Sequence, residues 1–283
     1  MRNNKVKNKK NKGKRVIPGF GISIGTTLTL LSLIVLIPMA SIVILSSGLS
    51  LHELWQIVTV KDVVSAYKVS FSSAFIAALI NCIFGIILAW VLVRYEFPGK
   101  RILDGLIELP FALPTAVAGI ALTALYSDKG WIGSIFAKAG IKIAYTKLGI
   151  IIAMVFIGIP FVVRAIQPVL EKLDGQYEEA AAMLGASGRR TFFKVIFPEI
   201  FPAMLTGFGL ALARGIGEYG SVVFIAGNIP YETQIAPLLI MTKLEQYKYT
   251  DATAIALVML IASFIILLLI NMIQAYANKI TSN

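Results

Sequence analysis

The chain has 283 residues, 57% of them hydrophobic and 14% charged, and a formal net charge of +11. Soluble domains run at roughly 45–50% apolar and about 25% charged, so this composition sets aside an ordinary soluble domain and points to a polytopic membrane protein. Eight of the 26 basic residues fall in the first fifteen positions, MRNNKVKNKKNKGKR, directly before an apolar run, which reads as the inner flank of a membrane span and not as a nucleic-acid footprint.

A bilayer-crossing helix needs about 20 mostly apolar residues. Six stretches meet that length, at about 22–47, 65–93, 104–126, 148–168, 201–226 and 252–276. The expected fold class is therefore all-α, a polytopic membrane protein with six transmembrane helices. Residues 1–15 form a basic cytoplasmic tail, 16–277 the membrane domain, and 278–283 a cytoplasmic C-terminus. The first run is longer than the roughly 7–15 residues of a signal-peptide core, so it is expected as an uncleaved span. Unsatisfied backbone groups are excluded from lipid, and alternation of the membrane-barrel kind is absent, so the spans are helices.

Between spans one and two, His52 sits in a polar loop, LHELW, and Cys82 lies in the second span; they are the chain's single His and single Cys. They cannot make an internal disulfide or a four-ligand zinc site, so no bound metal is expected. Lys68 and Glu108 are near span ends and are expected to reach the interface by snorkelling. Pro110, Pro114 and Pro160 fall inside spans and should bend them locally.

Lysine and arginine counts set the orientation. With the N-terminus inside, the inner segments carry 17 basic residues, including Arg94, Arg164, Lys172, Arg189, Arg190, Lys194 and Lys279, and the outer loops seven. The bias puts both termini in the cytoplasm, although Lys129, Lys138, Lys142 and Lys147 in one outer loop run against it.

The largest inner connection, about 171–198, is dense in charge. Gln176 to Leu184 is rich in helix formers, and Gly185 interrupts them. A second short helix can begin near Ser187, carry Phe192, Phe193, Val195, Ile196 and Phe197 on a greasy flank, and stop at Pro198. On pattern alone, an interfacial helix resting on headgroups remains open.

Span five holds Arg214 and Glu218 four residues apart, on one expected helix face. Charges there are costly, about 2.5–3.5 kcal/mol on insertion scales. Two readings stay open: an internal ion pair, or an arginine at the translocation path that attracts a dianion. Gly209, Ala213, Gly217 and Ser221 form a small-residue stripe on which another helix can pack. GIGEYG at 215–220 matches GxGxxG but lies in a span, and no GxxxxGK[ST] occurs. Any ATP used in transport must then be hydrolysed by another chain.

Glu179, Ala180, Ala181, then Gly185, and then Val195, Phe197 and Pro198 resemble the EAA loop of ABC-importer membrane subunits. The apolar pair before the proline departs from the family's usual Ile and Leu in size only. In that family the loop is a coupling helix that docks in a groove of the ATPase subunit. The segments VIPGFGISIGTTLTLLSLIVLIPMA, ELPFALPTAVAGIALTALY, ARGIGEYGSVVFIAGNIP and QIAPLLIMTKLEQYKYTDATAIALVML look like the sulfate/thiosulfate permease family, T type. The likeness runs from about Val16 to Gln274. It implies a type I ABC-importer permease fold in the plasma (inner) membrane. It also implies a non-catalytic subunit that passes sulfate, and thiosulfate with it, into the cytoplasm. The implied partners are two copies of an ATP-binding subunit that uses ATP and Mg, a second homologous permease chain, an extracellular or periplasmic sulfate-binding protein, and membrane lipid. A molybdate/tungstate permease of the same branch is the alternative. A secondary transporter would want broken inverted repeats or an acidic relay, and a membrane enzyme a cluster of His, Asp or Glu. Neither is evident.

Overall fold

The computed structural model describes residues 20–173 and 175–281. The basic tail, the side chain of Lys279 and the last residues of the expected C-terminal segment lie outside the described residues. Every regular element among the described residues is a helix. The chain divides between Gly48 and Leu49 into two units.

The first unit holds α1, Phe20–Ser46, whose most apolar window has no buried residue within the chain. It carries one wide turn at Ser32–Leu36, where the Ile37 N–H reaches back to the Ser32 carbonyl. Pro38 follows at once. Proline has no N–H and its ring crowds the carbonyl four residues back, so a π-type turn just before it takes up the misfit.

The second unit opens with α2, Leu51–Val58, which contains His52 and is a helix where a loop was expected. A capping box starts it, with the Ser50 hydroxyl accepting from Glu53 N–H and the Glu53 carboxylate accepting from Ser50 N–H. Donation to the carboxylate from the Ser50 N–H, and then from the Ser50 hydroxyl at 2.8 Å, holds the Glu53 carboxyl below the usual carboxylate range.

The core is built from α3 (Lys61–Arg94), α7 (Lys147–Lys172) and α9 (Gly188–Ile216), which pack on one another more extensively than any other helices. The buried face of α3 is mostly small, with Ala66, Ser70, Ser73, Ala74, Ala77, Ala78, Gly85 and Ala89 beside the larger Val63, Val69, Asn81, Cys82 and Leu92. Its other face exposes Phe75, Ile76, Leu79, Ile83, Phe84 and Ile87, as a lipid-facing surface would. Small residues let backbones close in, which is how helices associate without a hydrophobic drive between them. Val162 of α7 fills the space that side chains would need at both Gly85 and Gly207. A Cβ at Gly85 would lie 2.6 Å from its Cγ1, and one at Gly207 would lie 2.7 Å from its Cα.

Around this core run α4 (Lys100–Ala112), α5 (Thr115–Tyr126), α6 (Gly133–Lys138), α8 (Gln176–Met183), α10 (Val222–Ile225), α11 (Ala236–Glu245) and α12 (Tyr249–Thr281). Five described helices (α1, α3, α7, α9 and α12) are long and apolar enough to span a bilayer. The stretch expected as one third span is α4 and α5, bent by 114° at Leu113–Pro114; counted as one span, it makes six. Pro110 and Pro160 stay inside helices, whereas at Pro114 the residue before the ring is forced extended (Leu113 ψ 136°).

Span five also differs from expectation. It begins at Gly188 and ends at Ile216, not at 201 and 226. Pro198 does not stop the preceding helix, because the π-type turn Phe192–Ile196, with Phe197 N–H bonded to the Phe192 carbonyl, accommodates it as in α1.

Candidate functional site

Helix formers from Gln176 onward make α8, and Gly185 ends it. At φ +78° Gly185 adopts the left-handed conformation that glycine holds most readily. Its N–H bonds to the Ala182 carbonyl at 2.9 Å and the Ala186 N–H bonds to the Ala181 carbonyl at 3.0 Å, the paired bonds of a Schellman termination. Glu179 and Ala180 are exposed and Ala181 is half-buried. Met183 and Leu184, each 89% exposed, project from the end of the helix with nothing among the described residues to cover them. Val195 and Pro198 come back towards α8 and, with Tyr177, Lys172 and Lys194, line a cavity of about 470 Å³. The two halves of the EAA-like motif, with Phe197 half-buried between Phe193 and Phe201, are therefore one local structure.

That structure is fastened to the core by a residue the motif does not contain. Arg94, the last residue of α3, pairs with Glu178 of α8 at 2.8 Å. It also donates to the Leu173 carbonyl at the end of α7 at 3.1 Å and lies 5.7 Å over the Trp90 ring. Trp90 meets Phe192 of α9 edge to face at 5.8 Å. In the sequence Arg94 reads only as one more inner-loop charge; its distance of 84 positions from Glu178 hides the pairing.

A second charged cluster was missed in the same way. Arg164 of α7 bonds Asp104 and Glu108 of α4 at 2.7 Å each and Gln167 at 2.5 Å. Glu108 is thus ion-paired, where snorkelling was expected. Asp104 and Glu108 four residues apart on α4, and a lone Arg164 inside span four, were the available signal.

Arg214 and Glu218 do meet, at 2.5 Å, but not along one helix. The helix ends at Ile216, and Glu218 lies in the break before α10. Its Oε2 takes Arg214, and its Oε1 accepts the Ser221 N–H at 2.8 Å and the Ser221 hydroxyl at 3.0 Å. Glu218 is 1% exposed at its side chain and Arg214 35%. The break lies against α5: a Cβ on Gly119 would collide with Ser221 backbone, and one on Gly220 with the Thr115 hydroxyl. Non-helical backbone at membrane depth survives where protein buries it and bonds its polar groups, and Glu218 with α5 does both.

The expected stripe Gly209, Ala213, Gly217 and Ser221 is not one packing face within this chain. Gly209 faces Ile270 of α12, Ser221 faces Gly119, and Gly217 is exposed. The close approach is two residues earlier, at Gly207, Ala211 and Gly215, against Val162, the α7 backbone near Gly158, and Ala74. Both rows have four-residue spacing, and the chain's two core partners lie on the second.

The family described as the binding-protein-dependent transport system inner membrane component matches residues 81–282. The chain belongs to it. Among curated members of this transport-permease family, the sulfate transport system permease protein CysT of Escherichia coli (strain K12) is 48% identical over 262 residues, 93% of this chain and 95% of that one. The protein of the same name from Synechocystis sp. (strain PCC 6803) is 49% identical over 89% and 88%, and a probable counterpart from Nephroselmis olivacea 50% over 91% and 92%. The fold agrees with that of solved ABC importers. A bacterial ABC transporter that imports the acidic polysaccharide alginate superposes with a TM-score of 0.74 at 14% identity, covering 91% of this chain and 94% of its own. The alginate transporter in complex with its pentasaccharide-bound periplasmic protein gives 0.73 at 15%, covering 89% and 92%. The chain thus has the type I ABC-importer permease fold and is a multi-pass membrane protein of the transport-permease family.

Proposed function

We propose that this chain is the membrane-spanning permease subunit of an ATP-driven importer that carries sulfate, and thiosulfate with it, into the cytoplasm. The observation that carries the solute is the near-half identity, along nine-tenths of the chain, with permeases named for sulfate transport. It counts against the molybdate/tungstate alternative. The geometry carries the rest. α8 presents Met183 and Leu184 uncovered beside exposed Glu179, a short apolar-tipped helix suited to a groove in a partner.

In this reading the α3 and α7 C-termini, and α8 with them, face the cytoplasm, as do both chain termini. The partner carries ATP and Mg, since this chain has no phosphate-binding loop of its own, and the family resemblance implies two copies of it. A second, homologous permease chain completes the pathway, and an extracellular or periplasmic sulfate-binding protein delivers the solute from outside. Residues Glu179, Ala180, Ala181, Gly185, Val195, Phe197 and Pro198 form the coupling unit, and Arg214 and Glu218 hold the span-five break.

Purification of the tagged chain from its own membranes tests the assembly. A nucleotide-hydrolysing subunit and a second permease chain are expected to come with it; recovery of this chain alone, as a homo-oligomer, would contradict the proposal.

A further inference from the structure

We infer that Arg94 is the positioning residue through which movement of α8 reaches the transmembrane core. The inference rests on the function proposed above and deepens it, because it concerns how ATP hydrolysis in a partner is converted into movement of the spans. Leu173 and Gly175 before α8, and residues 184–187 after it, are not helical. Links of that kind can absorb a displacement instead of passing it on. A side-chain tie cannot absorb it so easily, and the tie between α8 and α3 among the described ion pairs is Arg94–Glu178.

The chemistry at this point favours one rigid guanidinium. Arg94 closes α3, where unpaired carbonyls and the helix dipole favour positive charge, and it reaches the Leu173 carbonyl that closes α7, where the same holds. Glu178 sits in the first turn of α8, where the dipole favours an acid. Two negative helix C-termini thus converge on one guanidinium that is 20% exposed, and the positive N-terminus of α8 supports the carboxylate it pairs with. One terminal nitrogen, Nη2, serves Glu178 and Leu173 together while the guanidinium carbon lies over the Trp90 ring. A lysine could offer the charge but not the delocalised guanidinium over the ring. From Arg94 the route into the core is short: α3 packs on α7 and α9 through a mostly small-residue face with Leu92 buried in it, and Trp90 bears on Phe192 near the start of α9.

The test uses the whole complex, with its ATP-hydrolysing partner, reconstituted in vesicles and supplied with the sulfate-loaded binding protein. Sulfate imported per ATP hydrolysed is compared for wild type, Arg94→Gln, Glu178→Gln and the double variant, with Arg94→Lys as a conservative control. Both single variants are expected to retain the ATP-hydrolysing subunit yet lower that ratio about tenfold, within the range a coupling free energy between sites commands. The double variant should be no worse than either single, because the two act as one unit, and Arg94→Lys should fall between. A wild-type ratio in Arg94→Gln would overturn the inference. So would loss of the ATP-hydrolysing subunit from both single variants, which would make the pair a docking contact. Failure of the wild-type complex to import sulfate would defeat the functional reading, and this inference with it, in an arm separate from the variants.

Discussion

Deleting the Arg214 guanidinium would leave the Glu218 carboxylate, 1% exposed, with only the two Ser221 donors. Breaking a buried pair by removing one partner costs about 3–5 kcal/mol, because the other charge stays in low dielectric. Each single alanine, Arg214→Ala or Glu218→Ala, should therefore lower the yield of monodisperse protein in detergent, and the double variant should recover much of the loss. Glu218→Ala also releases Ser221 from the break, so recovery should stop short of wild type. Were Arg214 instead an attractor for sulfate, Arg214→Ala would express and assemble normally but transport poorly, and Glu218→Ala would not rescue it. Full transport by a well-expressed Arg214→Ala protein would exclude both readings. The burial of Glu218 favours the structural one.

At the scale of the element, α8 depends on its end. A side chain at Gly185 would meet no atom within 4 Å in this chain, so its penalty is the backbone one at φ +78°. That conformation costs ordinary residues roughly 1–2 kcal/mol, and Asn bears it better than most. Gly185→Val should thus reduce recovery of the ATP-hydrolysing subunit and sulfate uptake while the chain still inserts, and Gly185→Asn should do so less. Equal and normal recovery for both would remove the docking role assigned to residues 179–185. This helix was legible in the sequence because its signals are local: a run of helix formers, then glycine. The 114° bend at Leu113–Pro114 was only half legible. A proline inside an apolar run announces a disturbance, but a kinked helix and a broken one use the same residue, and packing of α5 on the α9–α10 break decides between them. The packing stripe was misplaced by two residues for a similar reason. Gly207, Ala211 and Gly215 repeat like Gly209, Ala213 and Gly217, and only the positions of α3 and α7 distinguish them. Arg94–Glu178 was not legible, and the Arg164 cluster showed only as a carboxylate pair and a lone span arginine, since no local rule joins residues so far apart in the chain.

Across the whole molecule, composition and span count led directly to the fold class, because lipid permits few architectures for so apolar a chain. Orientation is the part that rests on charge bias. Single cysteines at Asn11, Lys172 and Lys279, in a chain with Cys82 replaced, should resist a membrane-impermeant thiol reagent in intact cells, while cysteines at Lys138 and Lys248 should react. Labelling of the Lys172 site from outside would place α8 on the wrong side of the membrane for any ATP-hydrolysing partner. The central claim, that this permease passes sulfate, is tested most directly by radiolabelled sulfate uptake in cells lacking the chain and in the same cells with it restored. Restoration should return uptake, and excess thiosulfate should compete with it while molybdate should not. Uptake that is unchanged by loss of the chain, or restored uptake abolished by molybdate alone, would contradict the account.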